Sequence, residues 1–292
     1  MNNVKNRLKL ILLGTRAGPP VDPWQKGISS ALVVNGKTYV VDCGRAAVTQ
    51  FVDSGLRLDS IEHVFLTHLH ADHLADYYNF FMLGGHIKNQ LKDHIEKPVK
   101  ILGPGKAGGL PPRWTPQGNT DAVATLPPGD TGTVEMTNLL HQAYSYSMNI
   151  FLRDMAVADI RTLMDVKDIQ IPAGVNAAPM DWQQGSTAPA MEPFEIFRDN
   201  NVVVKAILVP HGVVFPAYAY RFDTEHGSVT FSGDTTHSDN LIKLADQTDI
   251  LVHEAIGGGE QLPPADYQHM KDSHVFIQEC GPIAEKARAK HL

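Results

Sequence analysis

Apolar residues fall in short runs closed by turn residues along the first third of the chain: Leu8 to Leu13 before Gly14, Ala31 to Val34 before Asn35-Gly36, and Thr38 to Val41 before Asp42-Cys43-Gly44. Runs of this length with such stops predict strands, and Asn35-Gly36 predicts a tight hairpin turn because both residues tolerate positive φ. Ala46 to Ser54 carries helical spacing up to a Gly55 stop. Ile61 to Leu66 predicts a further buried strand, which delivers the chain to Thr67-His68-Leu69-His70-Ala71-Asp72-His73. That segment therefore belongs on a loop at a strand end, where a packed sheet fixes the backbone and leaves side chains accessible.

Between Gly103 and Asp130 the composition shifts to Gly and Pro, unsuited to strand or helix interiors. After Thr133, the expected N-cap, apolar residues recur at steps of three and four from Met136 to Met155, which predicts one helix with no Asp, Glu, Lys or Arg between Glu135 and Arg153. Such a helix either buries itself against its own domain or forms a lid or subunit contact. Strand signals return at Val202 to Val209, Ala217 to Phe222, Val229 to Phe231 and Ile250 to Val252, with helical spacing at Asn240 to Ala245 and Phe276 to Ala289. Strands followed by helices in both halves predict an α/β (α+β) chain. Its expected form is a four-layer αββα sandwich of two mixed β-sheets, a single domain over 1–292 with an insert at about 104–195.

Composition narrows the function. The formal charge is −7, from 25 Lys plus Arg against 32 Asp plus Glu with no long block of one sign, so no basic arm announces a nucleic-acid partner. Cys43 and Cys280 are too few for a disulfide framework, which leaves metal binding to the 14 histidines and the carboxylates. No run of about 18 apolar residues predicts a membrane helix, and Met1 to Gly14 reads as a first strand and not a leader. A cytoplasmic location is expected.

His68, His70, Asp72 and His73 place four potential ligands within six residues on one turn. Neutral imidazoles with a carboxylate suit zinc and related divalent ions, and the pairing of positions favours two neighbouring metals over one. The segment resembles the H-x-H-x-D-H motif of metallo-β-lactamase-fold hydrolases. Val209-Pro210-His211-Gly212 and Phe231-Ser232-Gly233-Asp234-Thr235 resemble that family's third-histidine and bridging-aspartate segments, in the same order. The resemblance implies that His68, His70 and His211 hold one metal, Asp72 and His73 the second, and Asp234 both.

Within the superfamily the chain resembles a ribonuclease Z and arylsulfatase-like branch, through Leu13-Gly14-Thr15, Leu251-Val252-His253-Glu254-Ala255, and His274 ahead of Cys280-Gly281-Pro282-Ile283-Ala284. By that resemblance Asp72 also orients the attacking water, and Glu254 orients His274 while His274 donates a proton to the leaving group. The resemblance puts a last ligand just beyond Lys290-His291-Leu292: either the given sequence stops short of it, or His291, His269 or water completes the second metal. Asp42 reads either as a support behind a metal-binding histidine or as a strand-ending Asx turn.

The leading expectation is a hydrolase that uses water activated by two divalent ions on a small organic ester, aryl sulfate or lactone. Zinc is the default metal, manganese and iron suit the same ligands, and a homodimer is the expected assembly. Aromatic residues such as Trp114, Trp182, Phe194 and Phe215 are candidates to wall the pocket. The alternatives are a ribonuclease Z-like endonuclease trimming the 3′ ends of transfer RNA, and a non-catalytic metal-binding protein.

Overall fold

The computed structural model describes residues 7–85, 87–111, 125–178, 187–257 and 262–292; Trp114 and Trp182 lie outside them. The chain divides into two compact units, one of Met1–Pro104 with Gly132–Ile169 and one of Gly105–Thr131 with Gln170–Leu292.

The first unit holds a six-stranded sheet whose spatial order follows chain order: β1 (Leu8–Gly14), β2 (Ser29–Val34), β3 (Lys37–Val41), β4 (Ile61–Phe65), β5 (Val99–Pro104) and β6 (Met164–Ile169). Asn35 and Gly36 take φ of 50° and 82°, which folds β2 back antiparallel onto β3. From β3 to β6 the pairing is parallel, and parallel neighbours need crossovers long enough to hold helices. These are α1 (Ala47–Asp53), then α2 (Ala71–Leu74) and α3 (Tyr77–Met82), then α4 (Thr133–Ala143) and α5 (Ser145–Asp154).

Val40, Val64, Ile101 and Val166 stand in register across four strands. They join Phe51 of α1 and Phe80 and Phe81 of α3 in one apolar cluster. Burying each phenylalanine stabilises the fold by about 2 kcal/mol. This cluster anchors both ends of the histidine segment, since β4 enters it and α3 leaves it.

The single helix expected from Met136 to Met155 is two helices, broken at Tyr144 (φ −96°, ψ 11°), whose ring stacks on Tyr78 at 5.3 Å. Gly132, not Thr133, is the N-cap. Thr133 starts the helix and donates to the Pro104 carbonyl at 2.9 Å, while the Asp168 carboxylate takes over capping by accepting from Val134 N at 2.9 Å. Thr137 and Met148 are buried, whereas Leu139, Tyr146 and Ile150 are exposed.

The second unit holds a five-stranded sheet in the order β11-β10-β9-β8-β7, from β7 (Phe194–Arg198), β8 (Val202–Leu208), β9 (Tyr218–Thr224), β10 (Gly227–Phe231) and β11 (Ile250–Val252). Only the β10–β11 pair is parallel. Helix α6 (Asp239–Leu244) packs on β8 and β9; its N-cap Ser238 accepts from Leu241 N. Helices α7 (Pro264–Ser273) and α8 (Ile277–Lys286) complete the unit. Among the described residues no helix is long and apolar enough to cross a membrane.

Asp249 ties three elements together, accepting from Ser228 N at 2.7 Å, Ser228 Oγ at 3.0 Å and Lys290 Nζ at 2.7 Å. The Lys290 ammonium, then the Ser228 amide, pull its carboxyl down to about 2. A depressed carboxyl contributes stability that is present above its unfolded pKa, near 3.9, and is lost as pH falls through the folded value. After allowance for solvent screening, Asp249→Asn should therefore lose about 1 kcal/mol at pH 7 and progressively less at pH 4 and pH 2. Urea denaturation at pH 7, 4 and 2 measures this, and an equal loss at all three rejects the ionic contribution.

Candidate metal centre

In the first unit, β4 ends at Phe65 and the next two residues stay tied: Leu66 N donates to Leu102 O at 2.9 Å and Thr67 N to Asp42 Oδ1 at 2.8 Å. Asp42 leaves β3 with φ of 58° and is buried. Its Oδ2 accepts from Thr67 Oγ1 at 2.8 Å and lies 2.8 Å from His73 Nδ1. A carboxylate can only accept, so His73 Nδ1 carries the proton and its Nε2 keeps a lone pair, the form that ligates metal. Of the two roles open to Asp42 in the sequence, the structure shows the one behind the histidine.

His73 Nε2 lies 3.6 Å from Asp72 Oδ2, which accepts from Gly18 N at 3.0 Å. The other carboxylate oxygen, Asp72 Oδ1, is buried and accepts no hydrogen bond. His68 Nε2 and His70 Nδ1 approach to 3.0 Å, with His68 buried and His70 exposed. A buried carboxylate oxygen lacking a donor is costly unless a cation faces it. Together with converging imidazole nitrogens, it is a donor set that fits a divalent ion.

Gly44 keeps this turn close to β2. A Cβ there would stand 2.6 Å from both Ile28 N and Ile28 O and 2.7 Å from the Asp72 carbonyl, all backbone atoms. Gly44→Ala should cost about 1–3 kcal/mol and weaken metal binding together, because the strain lands on the turn that aims Asp72. Thermal denaturation and zinc titration test this; normal values in both reject it.

In the second unit, β8 leads to His211, whose Nδ1 donates to the Ser273 carbonyl at 2.7 Å and leaves Nε2 3.9 Å from Asp234 Oδ2. Asp234 follows β10 through Ser232, whose amide donates to Val252 O, and Gly233, at φ 59°. Glu254 follows β11; its amide donates to Ser232 Oγ at 2.9 Å, and its Oε1 accepts from Thr235 N at 3.0 Å. His274, directly after α7, places Nδ1 2.9 Å from the same Oε1 and 3.9 Å from Asp234 Oδ2. Ligand atoms of His211, Asp234 and His274 all lie within 4.8 Å of one another. Burial pushes the Glu254 carboxyl up, opposed by its hydrogen bond to His274.

Among the candidates, the structure gathers His68, His70, Asp72 and His73 in one unit and His211, Asp234, Glu254 and His274 in the other. His269 lies on an exposed stretch of α7, and His291 bridges Ile250 through its backbone, accepting from Leu251 N at 2.9 Å. Neither stands among the donor groups of the described residues. Three supports have no signal in the sequence pattern: Thr67, the Gly18 amide and the Ser273 carbonyl.

Against known proteins, residues 8–82 match the family model of the anti-Pycsar protein Apyc1. The ribonuclease Z of Mycobacterium bovis (strain BCG / Pasteur 1173P2) is 26% identical over 283 residues, covering 96% of this chain and 82% of the relative. Among solved structures, the short form of human tRNase Z superposes with a TM-score of 0.64 at 20% identity, over 96% of this chain and 89% of that one. The metallo-β-lactamase fold protein YhfI from Bacillus subtilis gives 0.59 at 16% identity, over 97% and 83%. The two mixed sheets with their helices are the architecture these structures share, and the relatives are enzymes. An arylsulfatase-like branch gains no support from them.

Proposed function

From a chain with the metallo-β-lactamase fold and ribonuclease Z relatives along nearly its whole length, we propose a metal-dependent phosphodiesterase that acts on RNA as those relatives' name states. Its weight falls on the alternative raised by the sequence and away from a small ester, aryl sulfate or lactone. In this reading His68, His70 and His211 hold one divalent ion, Asp72 and His73 a second, and Asp234 serves both.

The observation that carries the reading is the Glu254–His274 pair, at 2.9 Å beside Asp234. Cutting RNA expels an alkoxide, a far poorer leaving group than a phenolate, so a proton donor at the departing oxygen is worth most for this bond. His274 Nδ1 is fixed by Glu254, which leaves Nε2 to deliver that proton. Divalent ions held by these residues would supply an acidified water and neutralise charge on the phosphoryl oxygens. Asp72 orients the water, its Oδ2 held by the Gly18 amide. On the loop that carries Gly18, the charges of Arg16 and Arg45 both act on Asp22, and the Arg45 guanidinium donates to the Asp22 and Gln25 carbonyls, so two cations face one carboxylate there.

Protein loaded with zinc or manganese should cleave precursor transfer RNA and bis(4-nitrophenyl) phosphate, and chelation should abolish both. Aryl ester or aryl sulfate hydrolysis outpacing every phosphodiester overturns the reading.

A further inference from the structure

Beside His211, wholly within the second unit, lies a hollow of about 280 Å³ bordered by Thr187, Pro210, Gly212, Thr236, Lys271 and Asp272. Two hydrogen bonds clamp the end of α7 to its wall, and a third ties the wall's own strands of chain together. Gly212 N donates to Asp272 O at 3.1 Å, Thr236 Oγ1 to Lys271 O at 2.7 Å, and Thr236 N to Pro210 O at 2.9 Å. The same turn of helix therefore supplies Lys271 to the hollow, the Ser273 carbonyl to His211 and His274 to Glu254.

Lys271 is the one cation among the lining residues, and its ammonium has no partner among the described residues. Asp272, next to it, is engaged by Gln268 Nε2 at 2.8 Å. An exposed ammonium at the rim of this hollow, two residues from the carbonyl that holds His211, is placed to meet a second anion of a substrate held at the proposed metal site.

We propose that this hollow is a subsite for the phosphate adjoining the scissile one, with Lys271 as its specificity-determining residue. The proposal rests on the phosphodiesterase reading and deepens it. Asp272 keeps the hollow near neutral, so Lys271 acts at contact range and salt weakens it.

The test compares two substrates with the same leaving group, the 4-nitrophenyl ester of thymidine 5′-phosphate and its 3′-phosphorylated form. The parent should favour the 3′-phosphorylated form in kcat/KM by about tenfold at low salt, the scale of one charge-assisted hydrogen bond. Lys271→Ala should bring the ratio close to one, Lys271→Arg should retain it, and the equally charge-removing Lys205→Ala should leave it intact. On a short RNA, Lys271→Ala should also lower the slope of log affinity against log salt by roughly 0.7, one phosphate contact.

A parent that hydrolyses both esters equally, or a Lys271→Ala ratio equal to the parent's, overturns the subsite while the phosphodiesterase reading stands. If the parent hydrolyses neither ester, the phosphodiesterase reading is decided by cleavage of precursor transfer RNA. The subsite is then judged by calorimetric binding of thymidine 3′,5′-bisphosphate: affinity lost in Lys271→Ala supports it, and equal affinity rejects it.

Discussion

His274→Ala is expected to lower turnover on RNA by roughly 10²–10⁴-fold, the range for loss of a positioned proton donor, with metal content unchanged. The leaving group separates this role from a structural one. When 4-nitrophenolate departs, little proton transfer is needed, so the same variant should lose far less activity on bis(4-nitrophenyl) phosphate. The ring of His274 stands 4.9 Å from that of His211, so metal analysis must accompany the kinetics. Equal losses on both substrates would show that His274 supports the site without donating. Glu254 acts through His274 as a positioning residue, and Glu254→Gln should flatten the acid-donor limb of the pH–rate profile while leaving metal content in place.

The second large effect belongs to Asp42, which faces three donors at 2.8 Å in a buried position. Asp42→Ala strands Thr67 N and His73 Nδ1 without an acceptor and should cost about 3 kcal/mol or more. Asp42→Asn separates stability from metal binding. Asparagine tolerates the positive φ, and its carbonyl still accepts from Thr67 N, so folding should be largely retained. Its amide, however, now donates toward His73 Nδ1, which moves the ring proton to Nε2, the nitrogen proposed to ligate. Metal affinity should fall about 10- to 100-fold. Denaturation and metal titration on both variants decide it; an Asp42→Asn protein that binds metal as the parent does rejects the tautomer argument.

The sequence made the first half of the fold readable because its strands are short apolar runs with clean stops. Observed β1, β3 and β4 lie within a residue or so of their expected spans, and the Asn35-Gly36 turn is where the pattern put it. Strand β6 was invisible for a physical reason. Met164-Asp165-Val166-Lys167-Asp168-Ile169 is an edge strand, and its alternation of charge with apolar residues is what an edge needs to resist further pairing. The break at Tyr144 has no mark in the apolar spacing, which continues through it; the tertiary stack on Tyr78 marks the place.

For the site, the histidine segment was legible because ligand chemistry restricts residue type. The partners behind it were less so: Asp42 was one of two readings, and amides such as Gly18 N leave no compositional trace. Net charge is a property of the whole chain and carries no trace of local groupings such as Arg16 and Arg45 around Asp22.

The bond from His211 to residue 273 ends on a carbonyl that every amino acid possesses. Alanine scanning will pass over that position in silence: Ser273→Ala keeps the acceptor and should keep the function. What aims the imidazole is the route of the main chain, so its loss would be exposed by an amide-to-ester exchange in the peptide backbone, or by an insertion that rotates the end of α7, and by no swap of side chains there.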